Sequence, residues 1–253
     1  MTIDLNCDMG EGAGNDSDLM PLVTSANIAC GFHASDPATM RCTVRLAREH
    51  GVAVGAHPSY RDREGAGRRP LRLAPEQVRD EVTYQVGALL AFCRAEGVRL
   101  THVKPHGALY NAAATDAALA GAICEAVRAI DPSLAMICLA GSRMASIARQ
   151  VGLACLEEAF ADRAYTSAGQ LVPRAAPGAV IHDPEKAAQR AVMITRDRRV
   201  ISVDGSVIPL AAQTLCVHGD TPGCVPLLLA IRAGLEAEGI AIRPFAAESG
   251  PPR

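Results

Sequence analysis

A chain of 253 residues in which 25 Lys+Arg nearly balance 27 Asp+Glu, for a formal net charge of −2, offers no global field to attract nucleic acid or anionic lipid. Hydrophobic residues make up 49% of it, yet with four Phe, four Tyr and no Trp the core has to be aliphatic, which suits helices packed on a parallel sheet and argues against base-stacking platforms. Nine Cys stand singly with no Cys-x-x-Cys pair, the pattern of reduced thiols rather than of a disulfide framework.

Asp4, Asp8 and Glu11 near the start are unlike a secretory signal. No apolar stretch approaches the roughly 18 residues that cross a membrane as a helix. The expectation is a cytoplasmic protein with a small-molecule substrate, no nucleic-acid partner and no membrane association.

Residues 2–7 read as the first strand. Side chains alternate along it, so Asn6 and Asp8 share a side, and Glu11 follows among glycines that turn the backbone. The spacing of Gly10, Gly12 and Gly14 matches neither Gly-x-Gly-x-x-Gly nor a Walker loop, but two acids and an amide at one strand end favour a functional Asp8 over a mere loop cap. Residues 10–35 read as an insertion of two polar, glycine-bearing segments. Within it His33 follows a short apolar run, where a lone imidazole is more often structural than functional. Asp36 and Pro37 then form a helix start, and Gly51 stops that helix after His50.

The strand at 52–56 ends in His57, with Pro58 directly after it. Residues 59–73 interleave five arginines with Asp62 and Glu64, a solvated loop in which Arg68 is the candidate phosphate clamp. A helix over 75–96 places Val78, Val82, Val86, Leu89 and Leu90 on one face. The strand at 100–103 leads into Lys104 and His106. An ammonium at a strand end can hold an anion or polarise a carbonyl, and an imidazole can move protons near neutral pH. Helices at 115–130 and 142–151 flank a strand at 135–139. The next strand, 153–157, leads to Glu157, Glu158 and then Asp162. A long loop to Asp183 carries Tyr165, Arg174 and Pro177, and long loops in compact domains are usually functional. A helix at 183–196, a strand at 213–217 ending in His218 and Asp220, a helix at 221–238 and a strand at 241–244 complete the pattern.

Five apolar runs thus end in chemically capable side chains. That repetition points to parallel strands whose C-terminal ends converge, the rim at which (βα) barrels build active sites. No linker interrupts the alternation, so residues 1–246 form one α/β domain, with 247–253 a frayed tail. Asp8, His33, His57 and His218 have the side chains of a divalent-metal site, although no pair of them has a helix or finger spacing. The lack of a Gly-x-Ser-x-Gly elbow disfavours a serine hydrolase.

Seven stretches, at residues 4–12, 25–36, 55–59, 102–111, 160–165, 171–174 and 211–220, resemble in order the motifs of the LamB/YcsF family, and together they cover nearly the whole chain. The resemblance implies a seven-stranded (βα) barrel-like fold, similar to the glycoside hydrolase/deacetylase class. It also implies cleavage of 5-oxoproline (pyroglutamate) to glutamate with ATP as cosubstrate, in concert with 5-oxoprolinase subunits B and C. On this reading Asp8, Lys104, His106 and His218 are the catalytic candidates. Asn6, Glu11, His33, His57, Arg68, Asp162 and Arg174 are then candidates for substrate or nucleotide binding. A divalent metal and a homo-oligomer stay open. Two other readings stand beside it: a metal-dependent deacetylase-like hydrolase of amides or carbohydrates without ATP, and a non-catalytic scaffold subunit. The chain departs from the family pattern at Ser35 and Ala164, where glycine is expected.

Overall fold

The computed structural model describes residues 1–245, so the tail expected at 247–253 lies outside the described residues. β1 (Thr2–Met9) leads through a four-residue helix, α1 (Asp16–Leu19), to β2 (Ser25–Ala29). Then come α2 (Pro37–His50), β3 (Ala53–His57), α3 (Pro75–Ala95), β4 (Leu100–Val103), α4 (Gly107–Ala113), α5 (Ala117–Ile130), β5 (Ala135–Leu139), α6 (Arg143–Gln150) and β6 (Cys155–Phe160). The last part holds α7 (Pro184–Asp197), a hairpin of β7 (Arg199–Ile201) and β8 (Val207–Pro209), then β9 (Thr214–Cys216), α8 (Cys224–Ala237) and β10 (Ala241–Ile242).

Local chemistry sets the helix ends. The Asp36 carboxylate accepts from the Thr39 N–H at the start of α2, with Pro37 in the first turn, and Gly51 closes that helix at φ 66°. Asp116, Ser142 and Asp183 cap α5, α6 and α7 in the same way. In α3 Val78, Val82, Val86 and Leu89 of the expected stripe are buried, and Leu90 is half-buried against the core.

β1, β2, β3, β4, β5, β6 and β9 pair in that order, all parallel, and β9 pairs back onto β1 to close the ring. A closed ring leaves no strand edge to pair with another chain. The expected number of strands is present, but not the expected set. Residues 10–35, read as an insertion, contain β2, which pairs Asn27 with both Asp8 and Gly55. All five residues of β2 are buried, so it lacks the polar alternation that marks a half-exposed strand. Residues 241–244 contribute only a two-residue pairing of Ala241 and Ile242 onto Thr2 and Ile3, outside the ring.

One face of β1, formed by Asp4, Asn6 and Asp8, bonds to side chains of strands across the ring and therefore lines the barrel's interior. Thr214 and Ser25 hydroxyls donate to Asp4. Asn6 donates to Glu158 Oε1 at 2.9 Å and to Thr214, and accepts from Asn27 at 2.8 Å. His102 Nε2 reaches Asn27 Oδ1 at 2.9 Å. Gly55 makes this packing possible, because a Cβ there would lie about 2.0 Å from the His102 ring. The apolar face of β1, with Leu5, Cys7 and Met9, packs in the main hydrophobic core. Each interior polar group left unpaired would cost about 1–3 kcal/mol, so the network fixes the strands' register as well as their chemistry.

Candidate active site

Lys104, just past the end of β4, sits at the centre of the rim with only 3% of its side chain exposed. Its Nζ lies 2.8 Å from Glu158 Oε1, and 3.1 Å from each of Asp8 Oδ1, Asn6 Oδ1 and Cys216 Sγ. Burial pulls the ammonium's pKa down, but Asp8, Cys216 and Glu158 outweigh burial and hold it well above its ordinary value. Burial likewise raises the Asp8 carboxyl, yet His57 and Lys104 prevail and keep it well below the usual carboxylate range. The other oxygen of Glu158 accepts from the Tyr110 hydroxyl at 2.7 Å. Burial and Glu158 push that phenol well up, so Tyr110 stays a neutral donor.

Three imidazoles stand beside this ion pair. His57 Nδ1 lies 2.6 Å from the Lys104 carbonyl oxygen, and His106 Nε2 lies 2.9 Å from the Ala66 carbonyl oxygen. A carbonyl only accepts, so both ring nitrogens carry hydrogen and donate. The remaining nitrogens, His57 Nε2 and His106 Nδ1, face each other at 2.9 Å. Asp8 Oδ2 is 3.3 Å from His57 Nε2, and Glu11 Oε1 is 3.3 Å from His106 Nδ1. His33 stacks on His106 with ring centroids 4.0 Å apart and contacts Glu11 Oε1 through Nε2 at 2.8 Å. Burial, with His33 and His57 facing it, pushes His106 down to about 3, and burial with His57 does the same to His33.

The loop after β3 builds one wall. Gly67 has φ 68°, and a Cβ there would press within 3 Å of Ser59, His106 and His33. Ala66 is held at φ 48°, which aims its carbonyl at His106. Ser35, where the family pattern has glycine, also adopts a left-handed φ of 73°, and Arg63 donates to its carbonyl. Ala164 is not among the residues with positive φ.

On the opposite side His218 follows β9. Its Nδ1 lies 2.8 Å from Asp162 Oδ2, so with Nδ1–H donating to that carboxylate Nε2 is the free nitrogen. Burial raises Asp162, but His218 outweighs it and lowers the carboxyl. Phe160 stacks on the His218 ring at 5.4 Å. Between the two sides lies a cleft of about 530 Å³, lined among others by Asp8, Lys104, His106, Arg163, Arg174 and His218. At its mouth Arg68 and Arg174 both donate to Asp220, at 2.5 and 3.0 Å. Two guanidiniums on one carboxylate leave an excess of positive charge there.

Of the residues singled out in the sequence, Asp8, Lys104, His106, His218, His57, Arg68 and Arg174 all line this cleft. Glu11 and His33 stand behind the imidazoles, and Asp162 behind His218. Asn6 is fully buried beneath the rim, where its side chain is spent on Glu158, Thr214, Asn27 and Lys104. The ligand-type side chains that come together are not Asp8, His33, His57 and His218 but Asp8, Glu11, His57 and His106, with a second trio of Asp8, Cys216 and His218. Sequence reasoning did not place Glu158, Asn27, His102, Tyr110 or Arg163 among the site candidates. Alternation along β6 separates Glu158, fully buried, from Glu157, whose side chain is partly exposed and pairs with Arg149.

A model of the LamB/YcsF family matches residues 3–250. The A subunit of 5-oxoprolinase from Symbiobacterium thermophilum is 55% identical over 245 residues, covering 95% of this chain and 94% of that protein. Its counterpart from Pyrococcus furiosus is 49% identical over 250 residues, covering 97% and 98%. The crystal structure of a lactam utilization protein from Thermus thermophilus superposes with a TM-score of 0.91 at 48% identity, covering 97% of this chain and 100% of that one. A family 4 carbohydrate esterase from Streptomyces lividans, 11% identical, matches with a TM-score of 0.50 over 98% of this chain and 95% of its own, a likeness of fold alone.

Proposed function

The chain belongs to the LamB/YcsF family, and from that premise we propose that it is the A subunit of an ATP-dependent 5-oxoprolinase that opens 5-oxo-L-proline to L-glutamate together with subunits B and C. The relatives named as the A subunit of 5-oxoprolinase, identical to it at about half of all positions over nearly full length, support this reading. The observation that carries the chemistry is an Asp-backed imidazole and three arginines lining one cleft.

A five-membered lactam is a stable amide, and transfer of the γ-phosphoryl group of ATP to its carbonyl oxygen activates the carbon. Water then adds to that carbon, the C–N bond breaks with a proton delivered to nitrogen, and γ-glutamyl phosphate remains. A second water releases phosphate and leaves the γ-carboxylate. Arg68, Arg163 and Arg174 suit the phosphoryl oxygens, since guanidinium forks match that geometry. His218 Nε2 takes the proton of the attacking water and returns it to the ring nitrogen, with Asp162 fixing the tautomer and stabilising the imidazolium. Lys104 keeps Asp8 ionised and fixes Asp8 and Glu158 in place. Its ammonium contacts four groups already, so it acts on the reaction through them.

The test is His218→Asn in the complex reconstituted with its partner subunits. Glutamate formation from 5-oxoproline should fall on the order of 100- to 10,000-fold, the usual worth of a positioned acid–base group, with the melting temperature unchanged. Near-wild-type turnover would remove His218 from the reaction and favour a scaffold role for this chain.

A further inference from the structure

We propose that Asp8, Glu11, His57 and His106 together hold one divalent first-row transition-metal ion at the barrel rim. His57 Nδ1 and His106 Nε2 are committed as donors to the carbonyls of Lys104 and Ala66. With both rings neutral, their other nitrogens present lone pairs to each other at 2.9 Å, with no donor between them. Two carboxylate oxygens, Asp8 Oδ2 and Glu11 Oε1, complete a set of four acceptors lying within 4.8 Å of one another. Apart from the hydrogen that His33 Nε2 gives Glu11, none lies among these four acceptors, a repulsive arrangement unless a cation, metal ion or proton, sits there.

The geometry and charge agree. Ligands about 2.1 Å from a common ion are about 3.0 Å apart in an octahedron and about 3.4 Å apart in a tetrahedron. The contacts His57–His106, His57–Asp8, His106–Glu11 and His57–Glu11 measure 2.9, 3.3, 3.3 and 3.9 Å. Asp8 and Glu158 pair with the Lys104 ammonium and Glu11 stands beside His106, so when ionised the three carboxylates exceed that one ammonium by two negative charges, which a dication cancels.

Each ligand is also held by a second partner, as metal ligands usually are. Backbone carbonyls orient both imidazoles, His33 fixes Glu11, and Lys104 with Asn27 engages the other oxygen of Asp8. Two imidazoles with two carboxylates select zinc, cobalt, iron or manganese over magnesium or calcium. The trio of Asp8, Cys216 and His218 is a poorer site, because the Lys104 ammonium lies 3.1 Å from Cys216 Sγ and would repel the ion. This assignment does not depend on the identity of the substrate.

The experiment is calorimetric titration of the chelator-stripped full chain with Zn²⁺ and Co²⁺, with the visible spectrum of the cobalt form as a second readout. One equivalent should bind per chain, with d–d bands of a nitrogen–oxygen ligand set and no thiolate charge-transfer band. Glu11→Gln, which keeps the side chain's shape, should weaken binding on the order of 10- to 100-fold or more. His106→Gln should abolish it, and circular dichroism should show both variants folded. Cys216→Ser should leave the affinity unchanged. No stoichiometric binding, affinity indifferent to Glu11→Gln, or a thiolate band would each overturn the assignment. In the first case a proton shared between His57 and His106 is what bridges the pair.

Discussion

A lysine at a strand end facing a cleft would be dispensable for folding, but Lys104 is not such a residue. Four polar partners converge on a nearly buried ammonium. Removing one member of a buried ion pair typically costs about 3–5 kcal/mol, because the partner charge is left unpaired. Lys104→Met should therefore lower stability by about that amount in urea melts, and Glu158→Gln in the same chain should restore part of the loss. A melt unchanged by Lys104→Met would show that solvent reaches the pair. Ser35 behaves oppositely. Held at φ 73°, it carries a strain that glycine does not, so Ser35→Gly should raise stability by about 0.5–1 kcal/mol, and an unchanged or lower midpoint would contradict this. At this scale the sequence was most legible where a charged or imidazole side chain directly ends an apolar run, as at Asp8, His57, Lys104 and His218. Glu158 was obscured by its neighbour Glu157, since only the phase of the strand tells which of two adjacent acids points inward.

Among the elements, β2 was the hardest to read. It is five residues long, buried on both faces, and carries Asn27 where an apolar residue would be expected. That asparagine is what couples β2 to the site, by donating to Asn6 and Asp8 and accepting from His102. Hidden with β2 was the reason for Gly55, whose missing side chain is the space His102 fills. Gly55→Ala should displace His102 and break its bond to Asn27, with a loss of about 2–4 kcal/mol from overpacking and an unpaired buried group. A thermal midpoint equal to wild type would mean that the strands give way instead. The helices were easier, because caps such as Asp36 and Asp183 and stops such as Gly51 act locally. The arginine-rich loop after β3 read as a solvated segment. Only the tertiary fold reveals that its Ala66 carbonyl and Gly67 backbone pack against His106.

Taken whole, the molecule is a closed ring whose interior is polar at the rim, and that has a consequence for its response to acid. His33, His102 and His106 are pushed by burial from an ordinary 6.5 to about 3. Between those values the unfolded chain takes up protons that the folded chain refuses, so stability falls as pH drops from 6.5 towards 3. At pH 5 the loss is on the order of 1–2 kcal/mol for each histidine. Asp8 and Asp162, both lowered, add their own loss only as pH falls below the ordinary carboxylate value of 3.8. Urea midpoints should therefore decline already between pH 7 and pH 5, and a flat profile over that range would contradict the burial of these imidazoles. Under the proposed function this rim opens a lactam with hydrolysis of ATP, and only within a multi-subunit enzyme. The most direct measurement follows glutamate and ADP together, from 5-oxoproline and ATP, with this chain alone and with its two partner subunits. One ADP per glutamate is expected, formed only when all subunits are present. Glutamate released at full rate by the isolated chain without ATP would contradict it.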